Sequence, residues 1–133
     1  ILKNCDIVSL HIPSNKETFE YMNEERSAMM KKHSILINTA RGEVVKNEAL
    51  LEALKSGQIA AAGLDVLAPE PVKEDNIVVK AMKNDGELAE KIVLAPHIGG
   101  LTVQTFDKIY GTIWNNFKKV CAGETPVNIV NHP

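Results

Sequence analysis

Arg41, Asp65, Glu70 and His97 are the side chains of this sequence best suited to chemistry, and each falls at or just past the end of an apolar run. An arginine presents a planar fork of donors that matches a carboxylate. A histidine gives or takes a proton at a neighbouring carbonyl or hydroxyl oxygen. A carboxylate accepts from the other ring nitrogen and orients the ring. Together these types can grip an acid by its carboxylate and exchange a proton at the adjacent oxygen. They cannot deliver hydride to carbon, which needs a redox cofactor. His11 ends another apolar run in the same way, two residues before Pro13. Taken singly, these residues also have plainer readings: Arg41 as a solvated loop arginine, His11 as a half-buried histidine satisfied by backbone.

The elements must bring these groups to one rim. Ser34–Gly42 reads Ser-Ile-Leu-Ile-Asn-Thr-Ala-Arg-Gly. Its apolar run Ile35–Ile37 predicts a strand buried on both faces. Small Thr39 and Ala40 then let a ligand approach the backbone, and Gly42 lets the chain turn away. Asp6–Ile12 predicts a strand stopped by Pro13. Gln58–Val66 predicts a third, closely packed at its alanines and Gly63. Ile92–Ala95 predicts a last one, closed by Pro96. Helices are expected over Glu24–Lys32, capped by Asn23 with Ala28 and Met29 facing the sheet, and over Glu48–Ser56, capped by Asn47 and stopped at Gly57. Ala49, Leu50, Ala53 and Leu54 share one face of the second helix. Strand, helix, strand, helix, strand is the order of an α/β fold with parallel pairing and right-handed crossovers. In such sheets ligands collect beyond the carboxyl ends of the strands.

Pro69 and Pro71 bracket Glu70 and stiffen its loop. Val72–Lys91 is charged, with short helices expected at Asn76–Lys83 and Glu87–Lys91 and a turn at Asp85-Gly86; it is expected to be exposed and without chemistry. Thr102 caps a long helix, Val103–Cys121. Phe106, Ile109, Ile113, Phe117 and Val120 recur at three and four along it. Tyr110, Trp114 and Cys121 add a second stripe. That face is wider than one small sheet needs, so part of it is expected to meet another domain or subunit. Gly123 stops the helix and Thr125–Pro133 is a tail.

Composition sets the class. The 133 residues are 44% apolar and 24% charged, as in an ordinary soluble domain. A net charge of −2 gives no general nucleic-acid affinity. No apolar run is long enough to span a membrane, and no signal-peptide pattern is present. Cys5 and Cys121 fit no disulfide framework, so a reducing, cytoplasmic setting is expected. His11, His33, His97 and His132 do not pair with one another or with cysteine at ligand spacing, so no metal site is expected.

Four segments, Ser-Leu-His-Ile-Pro (9–13), Ile-Asn-Thr-Ala-Arg-Gly (37–42), Gly-Leu-Asp-Val (63–66) with Glu70-Pro71, and Pro-His-Ile-Gly-Gly (96–100), stand in an order that resembles the NAD-dependent D-isomer-specific 2-hydroxyacid dehydrogenases. The resemblance runs from Asp6 to about Asn128. It implies the carboxyl-terminal half of a Rossmann-like NAD-binding domain over 1–101, followed by a helix and tail, 102–133, that cross back towards a substrate domain. It implies that Arg41 binds the substrate carboxylate, that His97 is the acid/base, and that Glu70 is its partner. It further implies that His11, Pro13, Thr39, Ala40, Arg41, Asp65, His97, Gly99 and Gly100 line the nicotinamide end of NAD, with Asp65 holding the carboxamide. The substrate implied is a small 2-keto or 2-hydroxy acid.

The sequence departs from that family in holding no Gly-x-Gly-x-x-Gly, the turn that cradles a pyrophosphate. It also has no initiator methionine. The chain is therefore expected to be part of something longer, to bind NAD weakly or not at all alone, and to turn over nothing alone. Uncovered strand edge and apolar surface predict self-association, as a dimer. A different class of function, an NAD-sensing corepressor-type module on the same fold, keeps the same residues, as does a fragment with no activity of its own.

Overall fold

Four parallel strands lie side by side in sequence order, β1 (Ile7–Leu10), β2 (Ser34–Asn38), β3 (Ile59–Leu64) and β4 (Ile92–Leu94), in the computed structural model, which describes residues 1–130. The pairing is in step at the carboxyl ends: Leu10 pairs with Asn38, Asn38 with Leu64, and Leu64 with Leu94. The residues that follow, His11, Thr39, Asp65 and Ala95, therefore leave the sheet along one edge. The strands are shorter than the expected Asp6–Ile12, Gln58–Val66 and Ile92–Ala95, because each ladder stops where its neighbour's does.

The connections are helices α1 (Glu24–Ala28), α2 (Asn47–Lys55), α3 (Ile77–Asn84) and α4 (Gly86–Lys91). Helices α2 and α4 pack on β3, and their apolar faces close the core. Leu36, Leu50, Leu54, Ile59 and Val78 are each no more than 1% exposed. Each such side chain contributes about 1.5–3 kcal/mol by leaving water. Gly63 lets β2 and β3 sit tightly, since an added Cβ would meet Ile37 Cδ1 at 2.9 Å.

Several expectations are corrected. Strand β2 is not buried on both faces. Ser34, Leu36 and Asn38 are buried, whereas Ile35 and Ile37 are only partly covered. On the edge strands Ile7 and Val93 are 61% and 73% exposed, so one face of the sheet is incompletely covered. Helix α1 stops at Ala28, short of Lys32. Its Asn23 cap accepts from Arg26 N–H as expected, but the Met30 N–H turns to Ser27 O and the Lys31 N–H goes to Leu2 O. With that early stop, Ser27 and Met30 face inward, while Ala28 and Met29 are exposed. Asn47 does not cap α2. It is the helix's first residue, behind an uncapping Lys46, and its side chain donates to Ala68 O at 3.0 Å. Residues 72–91 are not simply exposed: Val78 and Leu88 enter the core, and Asn76 is 8% exposed. Asp85 caps α4 as well as marking the turn.

Lys46 hydrogen-bonds Glu24 at 2.6 Å and ties α1 to α2. That bond holds the Glu24 carboxyl below its ordinary range and raises the Lys46 ammonium in return.

The chain forms two units, Ile1–Ile98 and Gly99–Pro133. The second is built on α5 (Val103–Cys121), with Thr102 Oγ1 accepting from Thr105 N–H at 3.1 Å. Asn116 bonds both polar groups of Val127, folding residues 124–130 against the helix. No residue of α5 is buried; Phe106, Ile109, Ile113, Phe117 and Val120 are all 44–59% exposed. The tail's residues 131–133 lie outside the described residues. No helix among those described is long and apolar enough to cross a membrane. Gly111 sits mid-helix with open space where a Cβ would go. Gly111→Ala is expected to stabilise α5 by about 1 kcal/mol, read as increased helical circular dichroism on warming.

Candidate active site

The rim beyond the strands is built by hydrogen bonds that begin in the sheet. Asn38, 1% exposed at the end of β2, donates from Nδ2 to Arg41 O at 2.9 Å and accepts from Ala40 N–H at 3.1 Å. A carboxamide used this way closes a turn over the following residues. It fixes the path of Thr39 and Ala40 and the point from which Arg41 departs. Gly42 comes next and packs against the neighbouring loop. A Cβ there would lie 2.3 Å from Ala68 N and 2.5 Å from Leu67 C. The Arg41 loop and the Glu70 loop therefore touch backbone to backbone.

Asp65 follows β3 and is 8% exposed. Its N–H donates to Asn38 O at 2.9 Å, which extends the sheet's last rung into the rim. Its own carbonyl accepts from His97 N–H at 2.8 Å, and its Oδ1 accepts from Ile98 N–H at 2.9 Å. Asp65 thus holds the turn that presents His97. That turn places His97 at φ +55°, a left-handed conformation that histidine adopts more readily than most residues. Its imidazole Nδ1 lies 3.0 Å from Glu70 Oε2.

The pair is half open to solvent, the side chains being 47% and 39% exposed. At that exposure an ion pair contributes little to stability, so its consequence is orientation. An ionised Glu70 accepts from Nδ1–H, and Nε2 is the nitrogen left to exchange a proton.

Two clefts share this rim within the first unit. One, of about 590 Å³, is lined by Asp65, Leu67, Glu70, Pro71, Val72, Ala95, Pro96 and His97. The other, of about 550 Å³, is lined by His11, Ile12, Pro13, Ser14, Thr39, Ala40 and Arg41. The structure thus brings Asp65, Glu70 and His97 together and seats Arg41 with His11, Pro13, Thr39 and Ala40 in the adjoining cleft. The Arg41 guanidinium folds back, Nη1 donating to Ala40 O at 2.6 Å. His11 Nε2 is paired with Ser9 Oγ at 2.8 Å. Gly99 and Gly100 belong to the second unit. Sequence reasoning gave Asn38 no role, although an asparagine at a strand end before small residues is the pattern of a side-chain-closed turn.

With this geometry in hand, the likenesses are specific. Residues 1–99 match the family model described as D-isomer specific 2-hydroxyacid dehydrogenase, NAD binding domain. A glyoxylate reductase of Thermofilum pendens is 43% identical over 131 residues, 98% of this chain and 36% of that protein. A D-lactate dehydrogenase of Lactobacillus jensenii, solved with NAD+, superposes with a TM-score of 0.82 at 33% identity, covering 98% of this chain and 41% of that one. A D-isomer specific 2-hydroxyacid dehydrogenase of Xanthobacter autotrophicus Py2, solved with NADPH and MES, gives 0.78 at 33% identity, covering 98% and 50%. The chain spans a little over a third of the length of the curated relatives it matches, 36–37% for the reductases of Thermofilum pendens and Thermococcus litoralis.

Proposed function

We propose, from the premise that this chain belongs to the D-isomer specific 2-hydroxyacid dehydrogenases, that it serves in an enzyme reducing a small 2-keto acid to a D-2-hydroxy acid. In this reading residues 1–101 supply the carboxyl-terminal half of the NAD-binding domain, and 102–133 run towards a substrate domain. The observation that carries the reading is the 3.0 Å approach of His97 Nδ1 to Glu70 Oε2 on the rim that also bears Arg41.

The chemistry divides among the chain's own residues as follows. Arg41 leaves Ala40 O and grips the substrate carboxylate through paired charge-assisted hydrogen bonds. Glu70 holds the His97 ring through Nδ1–H. Protonated at both nitrogens, His97 donates from Nε2 to the C2 oxygen as the C2–O double bond becomes single, and in the reverse direction it takes that proton back. NADH, when bound, supplies the hydride that C2 requires.

The cleft of about 550 Å³ beside Arg41 fits the nicotinamide end, being within the usual size of ligand sites. Thr39 and Ala40 are small enough to let a flat ring reach the backbone, and His11 and Pro13 wall its far side. Asp65 would hold the carboxamide beside the turn it already fastens. The free thiols of Cys5 and Cys121 suit a reducing compartment such as the cytoplasm. The exposed apolar row of α5 and the open sheet edge support a homo-oligomer, which light scattering would count.

The test is NADH oxidation by the full-length protein with glyoxylate, pyruvate and phosphohydroxypyruvate. Arg41→Lys loses the planar fork and is expected to raise the KM of the keto acid by roughly tenfold, with the KM of NADH unchanged. Failure to reduce any 2-keto acid would overturn the reading.

A further inference from the structure

We propose that Asn47 and Asn76 are positioning residues for the His97–Glu70 pair, acting by a joint grip on the Ala68 carbonyl oxygen. The inference rests on the acid/base reading above. Glu70 stands in a loop with little hold on itself. Pro69 and Pro71 bring no N–H, and among the described residues no backbone–backbone hydrogen bond ties residues 67–71. What holds the loop comes from outside it. Asn47 Nδ2, on the first residue of α2, donates to Ala68 O at 3.0 Å. Asn76 Nδ2, on the cap of α3, donates to the same oxygen at 2.8 Å. Both lone pairs of that carbonyl are then engaged.

The grip is rigid for two reasons. Asn76 is 8% exposed, and its Oδ1 accepts from Val78 N–H at 2.9 Å, which fixes which end of the amide faces Ala68. The helices behind both are rooted in the core through Leu50, Leu54 and Val78, each no more than 1% exposed. Ala68 O is thereby fixed to the core two residues before Glu70. The carboxylate inherits that position and meets Nδ1 of His97. Release of Ala68 O loosens the loop beyond the buried Leu67, and Glu70 with it, while leaving the sheet and the His97 turn intact.

The test combines Asn47→Ala with Asn76→Asp, which keeps an oxygen for the Val78 cap but cannot donate to Ala68 O. In the 15N-labelled 133-residue chain, the ring nitrogens of His97 are read through their long-range proton couplings. The double variant should shift them in the same direction as Glu70→Ala, with the amide signals of β2 and β3 retained. It should add nothing further in a Glu70→Ala background. Unchanged ring nitrogens, or an effect undiminished without Glu70, would overturn the proposal. Asn47→Ala alone, which touches no cap, gives the same readings at smaller amplitude if the double variant unfolds. In the full-length enzyme the double variant should lower kcat by about 10- to 100-fold, as misplacement of a catalytic group does, with the KM of NADH unchanged. Glu70→Ala with intact turnover sinks the acid/base reading. Intact turnover in the double variant, with turnover lost in Glu70→Ala, sinks this proposal alone.

Discussion

With His97 in the proposed acid/base role, His97→Asn is expected to lower kcat of the full-length protein by about 10²–10⁴-fold, the range general acid–base groups supply, with NADH binding retained. The choice of asparagine follows from the backbone. Residue 97 sits at φ +55°, and asparagine tolerates that region where alanine or a β-branched residue is strained. The two bonds that hold the turn, His97 N–H to Asp65 O and Ile98 N–H to Asp65 Oδ1, do not involve the imidazole. The substitution therefore removes the proposed proton donor and its bond to Glu70 while leaving the turn in place. Steady-state kinetics with titration of NADH by fluorescence separates the two effects. A variant that keeps wild-type kcat would show that another group carries the proton.

Gly42→Ala has the largest effect on the frame. The added methyl would sit 2.3 Å from Ala68 N and 2.5 Å from Leu67 C, both backbone atoms that cannot swing aside. Overpacking of this kind costs about 1–3 kcal/mol, and the melting temperature should fall by several degrees. The damage is also directional. The backbone that must give way lies two to three residues before Glu70, so turnover should fall further than stability alone explains, about 10²-fold for a displacement near 1 Å. Gly86→Ala is the matched control, since a Cβ there meets nothing within 4 Å. Equal melting temperatures for the two variants would mean that the loops part without penalty.

The fold was largely legible where a local rule decides. Thr102, the three-and-four spacing and Gly123 define α5 to the residue, because a solvent-exposed helix answers only to its own caps and period. The parallel order of β1 to β4 follows from alternation of strand and helix. What was not legible depends on contacts distant in sequence. Helix α1 ends early because the Lys31 N–H finds Leu2 O. Asn47 looks like a cap, but Ala68 O, twenty-one positions away, takes its amide. Val78 and Leu88 sit in a charged stretch, and only the packing of α3 and α4 on α2 reveals them as core. At the site, the residue types were readable from chemistry. The separation of Arg41 from His97 into adjoining clefts was not, since nothing local to Arg41 says where its guanidinium folds.

The strand that delivers His97 is three residues long, pairs with β3 alone and leaves Val93 to solvent. An element so thinly laddered opens in brief local excursions well before the whole fold gives way. In the proposed mechanism the proton donor rides on a short edge strand, and warming is expected to displace it while the core is still folded.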